Sequence, residues 1–226
     1  MVKSIAIVGG SSDIAKSTIS SMSADAYKFH VLVRDDSHTQ ELSALGVNVV
    51  LGDATSEEDI KNFISGVKES AEIHAVLHCV GSFAVRPPHA MNKEAFETVI
   101  STNLTSAFLT LSIAGKAMLS QGHGRMVFMS SVAGSLGLVN HEAISAAKGG
   151  IESMVRSAAA TYANRGLRIN AVAPGLTDTK LASPIMSNET ASQAASQKIP
   201  IKRVGQKEEV ANVIKWLLTE APENFT

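Results

Sequence analysis

Ile5-Ala6-Ile7-Val8-Gly9-Gly10-Ser11-Ser12-Asp13-Ile14-Ala15 decides the fold. Its first four residues form a short apolar run closed by glycine, which reads as a strand buried on both faces. Gly9 and Gly10 allow the chain to turn sharply, and the residues after them open a helix. A strand, a glycine turn and a helix N-terminus let backbone approach a pyrophosphate, whose charge the helix end then stabilises. Two adjacent glycines after a strand are also a common tight turn, so the motif takes its weight from its surroundings. Asp13 and Ala15 stand where stricter versions of the turn carry glycine. The Asp13 carboxylate suits a helix cap, although its charge opposes a pyrophosphate.

Outward from this turn, short apolar runs alternate with amphipathic segments. Phe29 to Val33, Val47 to Leu51, Ala75 to Val80, Met126 to Met129 and Leu167 to Val172 read as further buried strands. Helical patterns such as Glu94 to Leu119 and His141 to Asn164 lie between them. This alternation predicts an α/β fold, a doubly wound parallel sheet of Rossmann type with helices on both faces, as one three-layer domain over 1–226. The segment from Thr177 to Pro200 reads as a long loop, rich in Ser, Ala and Thr, of the kind that serves as a lid. Arg34 follows the second strand, where such sheets read an adenosine ribose; an arginine there suits a 2′-phosphate, whereas an acid suits a 2′-hydroxyl. The alternative is a surface arginine paired with Asp35 or Asp36. Asp53-Ala54, after the third strand, is placed to meet an adenine edge, or is simply a turn.

The chain has 226 residues, 45% hydrophobic and 18% charged, with a formal net charge of −1. That balance gives no electrostatic reason to expect nucleic acid or an anionic membrane as partner. The single cysteine, Cys79, excludes an internal disulfide framework and fits a reducing compartment. The apolar start is too short for a signal peptide, and no other stretch is read as long and apolar enough to cross a bilayer, so a cytoplasmic location is expected. No metal site is expected either. His74 and His78 are four apart on a strand, without the geometry of a helical pair and without a third ligand.

The decisive chemistry lies between Met129 and Lys148. Ser130-Ser131 close a strand, and a helix begins near Asn140 with Ile144 and Lys148 one turn apart on one face. With Gly9 to Ala15, Asp53-Ala54, His78-Cys79-Val80-Gly81, Asn103, Ser130 to Gly134, Ser145 to Lys148, Asn170 to Gly175 and Thr179, the chain resembles the short-chain dehydrogenase/reductase family over nearly its whole length. The resemblance implies a nicotinamide cofactor across the strand ends and hydride transfer with a small carbonyl or alcohol. It implies that Ser131 hydrogen-bonds the substrate oxygen, that Lys148 holds the nicotinamide ribose, and that Asn103 fixes a helix and a water. Gly9, Ser11, Ser12, Asp13, Ile14, Gly81, Pro174, Gly175, Thr177 and Thr179 would line the cofactor. His78 and Cys79 replace two asparagines of the family pattern. Arg34 favours NADP(H) over NAD(H).

The family pattern has tyrosine four residues before the lysine, and this chain has Ile144. Isoleucine cannot donate a proton, and a positioned general acid is worth ~10²–10⁴ in rate. His141 lies three residues earlier on roughly the same face, although the helix dipole favours its neutral form there. Ser145 points about 100° away. A water held by Lys148 and Ser131 is a third donor, and the absence of any efficient donor is the fourth case. Two functions compete: an oxidoreductase with an atypical proton path, or an inactive dinucleotide-binding sensor or scaffold. The family continues past the residues matching Ile199 to Leu218 with one more strand, so six strands are expected here. A homodimer or homotetramer is expected, with pairing through the Ala-, Ser- and Gly-rich helices.

Overall fold

The computed structural model describes residues 3–22 and 26–226. In chain order the elements are β1 (Lys3–Val8), α1 (Asp13–Ser20), β2 (Tyr27–Val33), α2 (Thr39–Ala44), β3 (Asn48–Leu51), α3 (Glu57–Ser70) and β4 (Ile73–His78). Then come α4 (Lys93–Ile100), α5 (Ser106–Gln121), β5 (Gly124–Met129), α6 (Glu142–Tyr162) and β6 (Leu167–Val172). β7 (Thr177–Asp178), α7 (Ser183–Met186), α8 (Glu189–Lys198), β8 (Gly205–Gln206) and α9 (Lys207–Thr219) complete the chain. The main sheet has the order β3-β2-β1-β4-β5-β6, and its pairs are all parallel.

Because side chains alternate along a strand, the apolar run of β1 feeds two cores. Ile5 and Ile7 pack with Ile19 of α1, Leu42 of α2 and Ile214 and Leu218 of α9. Ala6 and Val8 face Ile60 and Phe63 of α3, Met118 of α5 and Ile151 of α6. Each such fully buried side chain contributes roughly 1.5–3 kcal/mol of transfer free energy. The result is a three-layer sandwich, with its topological switch between β1 and β4. From β1 the chain winds to β2 on one side and returns to β4 on the other, so the carboxyl ends of β1 and β4 diverge and leave a crevice.

Two expectations need correction, and the chain end adds a contact to the edge of the sheet. α4, a π-helical turn at Ser101–Thr105 and α5 join into one helix of 29 residues, Lys93–Gln121, long and apolar enough to cross a membrane. Its buried stripe of Ala107, Leu111, Ala114 and Met118 instead packs into the core. The segment from Thr177 to Pro200 is not structureless, since it contains β7, α7 and α8. Its small residues are good helix formers once Asn188 caps α8 by accepting from the Ala191 N–H. Finally, the last residues lie along β6: the Ile169 N–H donates to Thr226 Oγ1 at 2.9 Å, and Asn170 Nδ2 donates to the Phe225 carbonyl at 3.2 Å.

Candidate active site

The crevice begins at the glycine turn. Gly9 has φ +88°, and a Cβ on it would fall 2.9 Å from the Cys79 carbonyl carbon and the Val80 nitrogen, so only glycine fits. Ser12 starts α1 without a side-chain cap, which leaves first-turn N–H groups facing the crevice. Asp13 does not cap the helix either. It is the first helical residue, past the cap position, and its Oδ2 accepts the Lys180 N–H at 2.6 Å, while Lys16 Nζ lies 3.5 Å from Oδ1. Arg34 is exposed and forms no ion pair with Asp35 or Asp36 among the described residues. Asp35 instead accepts the Ser37 N–H. Asp53 takes the turn role: its Oδ1 accepts both the N–H and the hydroxyl of Thr55 at 2.8 Å, with Ala54 half-buried behind it.

On the other side of the crevice β5 ends at the serine pair. Ser131 Oγ accepts the Ala133 N–H at 3.2 Å, which folds the Val132–Gly134 turn back over the strand and leaves the hydroxyl proton free. A Cβ on Gly134 would lie 3.0 Å from the Gly149 nitrogen, so the turn presses against α6 just past Lys148. Lys148 Nζ donates to the Met129 carbonyl at 2.9 Å, and Ser130 Oγ donates to the Lys148 carbonyl at 3.1 Å. Strand end and helix are thereby locked together.

Asn103 sits fully buried in the π-turn, the geometry that swings it out of the regular helix toward β4. Its Nδ2 donates to Ser82 Oγ at 2.8 Å and to the Val99 carbonyl at 2.9 Å, and its Oδ1 accepts the Ser82 N–H at 3.3 Å. Gly81 is the meeting point. A Cβ on it would stand 3.6 Å from Asn103 Oδ1, 3.8 Å from Lys148 Nζ and 3.9 Å from Leu181 Cδ2.

Ile144 is buried in a small apolar cluster with Val99, Ala133, Ala143 and Ala147. His141 precedes the first residue of α6, and its Nδ1 donates to the Val139 carbonyl at 2.7 Å. No hydrogen bond joins it to Ser131, Lys148 or Asn103 among the described residues.

Burial sets the charges. The Lys148 ammonium is taken out of water, which lowers its pKa to about 8. Burial likewise drives His78 down to about 3, with the nearby lysine adding to it. The Ser106 hydroxyl donates to the Thr102 carbonyl at 2.6 Å, so it accepts the proton on His78 Nε2 at 2.9 Å. That bond ties β4 to the π-turn. The Cys79 thiol, buried beside Ser12, is pushed up.

β7 crosses from the Pro174-Gly175 bend, whose Pro174 carbonyl accepts the Val132 N–H at 3.0 Å. Thr177 is buried and donates to the Gly175 carbonyl at 3.1 Å; Thr179 is half-buried and donates to the Thr177 carbonyl at 3.3 Å. The next turn, Lys180–Ala182, is the strap that Asp13 holds. Sequence reasoning missed Ser82 and Glu152. Glu152 accepts from Ser135 at 2.7 Å and, at 2.8 Å, shares the one Ser130 hydroxyl proton with the Lys148 carbonyl, and so clamps both ends of the serine turn to α6. Its one available signal was its place a helical turn beyond Lys148.

Known proteins resemble this chain over most of its length. The family described as enoyl-(acyl carrier protein) reductase matches residues 9–226. The 3-oxoacyl-[acyl-carrier-protein] reductase MabA of Mycobacterium bovis is 32% identical over 218 residues, covering 96% of this chain and 86% of that protein. Cis-4-hydroxycyclohexanecarboxylate dehydrogenase of Sinomonas cyclohexanicum is 35% identical over 173 residues, covering 75% and 68%. The structure of ElxO with NADP bound superposes with a TM-score of 0.92 at 25% identity, covering 100% of this chain and 95% of the other. The chain belongs to the short-chain dehydrogenase/reductase family of oxidoreductases.

Proposed function

We propose that the protein reduces a small carbonyl, or oxidises the matching alcohol, with NADP(H), and that Lys148 supplies the proton through a water. The observation carrying this reading is the approach of Lys148 Nζ and Asn103 Oδ1 to one point at Gly81, beside the strand end that bears Ser131.

A nicotinamide dinucleotide suits the crevice, because the Gly9 turn and the uncapped start of α1 present N–H groups to phosphate. Ser11, Ser12 and Ile14 would line it there, with Asp53 and Ala54 at the adenine end and Gly81, Pro174, Gly175, Thr177 and Thr179 at the other. Arg34, which forms no ion pair among the described residues, would pair with a 2′-phosphate. When bound, the cofactor supplies or accepts the hydride.

The chain's own residues do the rest. Ser131 spends a lone pair on the Ala133 N–H, so its proton is free to polarise the substrate oxygen. Lys148 spends one N–H on Met129, leaving two for a water and for ribose hydroxyls. Its pKa of about 8 makes it a far better acid near neutrality than an ordinary lysine. His141 is the poorer donor. Its Nδ1 proton is spent on the Val139 carbonyl, and no hydrogen bond joins the ring to Ser131 or Lys148 among the described residues.

Purified protein should oxidise NADPH with a carbonyl panel, with a rate that falls above about pH 8 as Lys148 loses its proton. Lys148→Met should remove that limb and most of the rate. No oxidation above background from mildly acidic to mildly alkaline pH would overturn the proposal. NADPH should bind more tightly than NADH, by about tenfold or more for a charge-assisted arginine–phosphate pair. A titration in which Arg34→Ala leaves the preference unchanged would reject that part.

The second reading, a dinucleotide-binding protein without turnover, draws on Ile144. Its hydrocarbon neighbours leave that wall dry, with no hydroxyl aimed at the substrate oxygen. Tight NADPH binding without reaction would favour it.

A further inference from the structure

Twelve large apolar side chains are exposed among the described residues, and six of them lie on loops beside the opening of the crevice: Phe83, Val85, Leu136, Leu138, Val139 and Leu181. They come from three separate loops. Phe83 and Val85 follow Gly81 at the end of β4; Leu136, Leu138 and Val139 follow the serine turn after β5; Leu181 sits on the strap. The loops are joined around the opening. The Arg86 N–H donates to the Asn140 carbonyl at 2.8 Å, linking the first to the second. Leu181 Cδ2 lies 3.9 Å from a Cβ on Gly81, linking the strap to the first. Between Phe83 and Val85, Ala84 packs inward against the cluster that holds Ile144. A concentration of this kind at one place is far from the scattered single residues normal on a protein surface.

Several polar groups of the same loops are spent within the protein. Ser82 uses its N–H and its hydroxyl oxygen on Asn103. Ser135 donates to Glu152, and the His141 Nδ1 proton goes to Val139. A substrate that reaches Ser131 and Lys148 between these loops would meet hydrocarbon from all three. Hydroxyl groups flanking the reacting carbon would leave water without replacement partners, and such a loss is heavily penalised in a closed site.

We infer that the substrate is a ketone or secondary alcohol whose reacting carbon is flanked by hydrocarbon, alkyl chain or alicyclic ring, and not a polyhydroxylated carbonyl. The inference rests on the reading that the crevice beside Ser131 and Lys148 is the reaction site. Three loops beside the crevice present the same chemistry, and Leu181 and Lys148 both approach Gly81.

The test is a homologous series of methyl alkyl ketones and ring-substituted cyclohexanones, set against dihydroxyacetone and open-chain keto-sugars. Two readouts are taken: kcat/KM with NADPH, and the binding of each ketone to the NADP-loaded protein by calorimetry. Each added methylene should raise both by about two- to fourfold while it remains within the rim, the upper limit being the transfer value for one buried CH₂. Leu138→Ser and Leu181→Ser, both at exposed positions, should flatten the series. Ketone binding that climbs with chain length in the absence of turnover would sustain the inference while refuting catalysis. Turnover or binding indifferent to chain length, or better with the polyhydroxylated compounds, would overturn it and leave the proposed chemistry intact.

Discussion

At residue 144 this chain carries isoleucine where the resemblance implies the proton-donating tyrosine. Ile144 is buried with Val99, Ala133 and Ala147, one turn before Lys148. Ile144→Tyr should place a phenol beside the lysine and raise kcat by ~10²–10⁴, the usual worth of a positioned acid. Steady-state kinetics on the variant checks this, and an unchanged rate would mean that the hydroxyl does not reach the substrate oxygen. Much at this scale was legible in the sequence. The spacings of Ser131, Lys148, Asn103 and Gly81 were sufficient to expect them together, because they hang on strand ends and a helix whose periods are fixed. Glu152 was not legible, because its two serine partners depend on how a turn folds back across α6. Nor was the fate of Asp13, whose partner is an N–H 167 residues away along the chain.

Among the elements, the strap holds most of the surprise. A segment whose composition suggests a plain loop is built from β7, a turn and two short helices, and it is tethered to the phosphate-binding turn by the Asp13–Lys180 bond. The tether and the phosphate site share one carboxylate. Replacing that carboxylate by Asp13→Gly should tighten NADPH binding by about tenfold, since a unit charge at such a site is worth on the order of 1–2 kcal/mol after screening. Asp13→Asn separates the two effects. It keeps an acceptor for Lys180 but removes the charge, and should recover most of the gain in a fluorescence titration. Equal affinities in all three proteins would show that the charge does not meet the cofactor. The π-turn in the Lys93–Gln121 helix was also invisible to a search by periodicity. One extra residue in a turn barely disturbs the apolar spacing, yet it delivers Asn103 to Ser82.

Over the whole molecule, the parallel sheet and the helices on both its faces followed from the alternation of apolar runs. What composition could not reveal is that some of the core is polar. His78 and His74 stay neutral in the folded state, lowered by burial to about 3 and about 4, against 6.5 in the unfolded chain. The unfolded state therefore binds protons first as the pH drops, and stability falls with it. Stability from this source is complete above pH 6.5. It should fall by up to about 1.4 kcal/mol per pH unit for each histidine, until the folded-state values are reached. Urea unfolding from pH 7 to pH 4 measures the slope, and His78→Asn should reduce it; an identical slope in the variant would acquit His78.

At the end of the sheet remote from the crevice, α5 stops at Gly122 and the chain re-enters the sheet through Gly166, with φ of +81° and +84°. A Cβ on Gly166 would collide with the Gly122 carbonyl oxygen 2.0 Å away. β5 and β6 thus start from a shared pivot that admits no side chain. With their origin pinned there, the loops at the opposite tips are at liberty to change length and character during evolution. New substrates can be tried at one pole of the molecule while the register that presents Ser131 is guarded at the other.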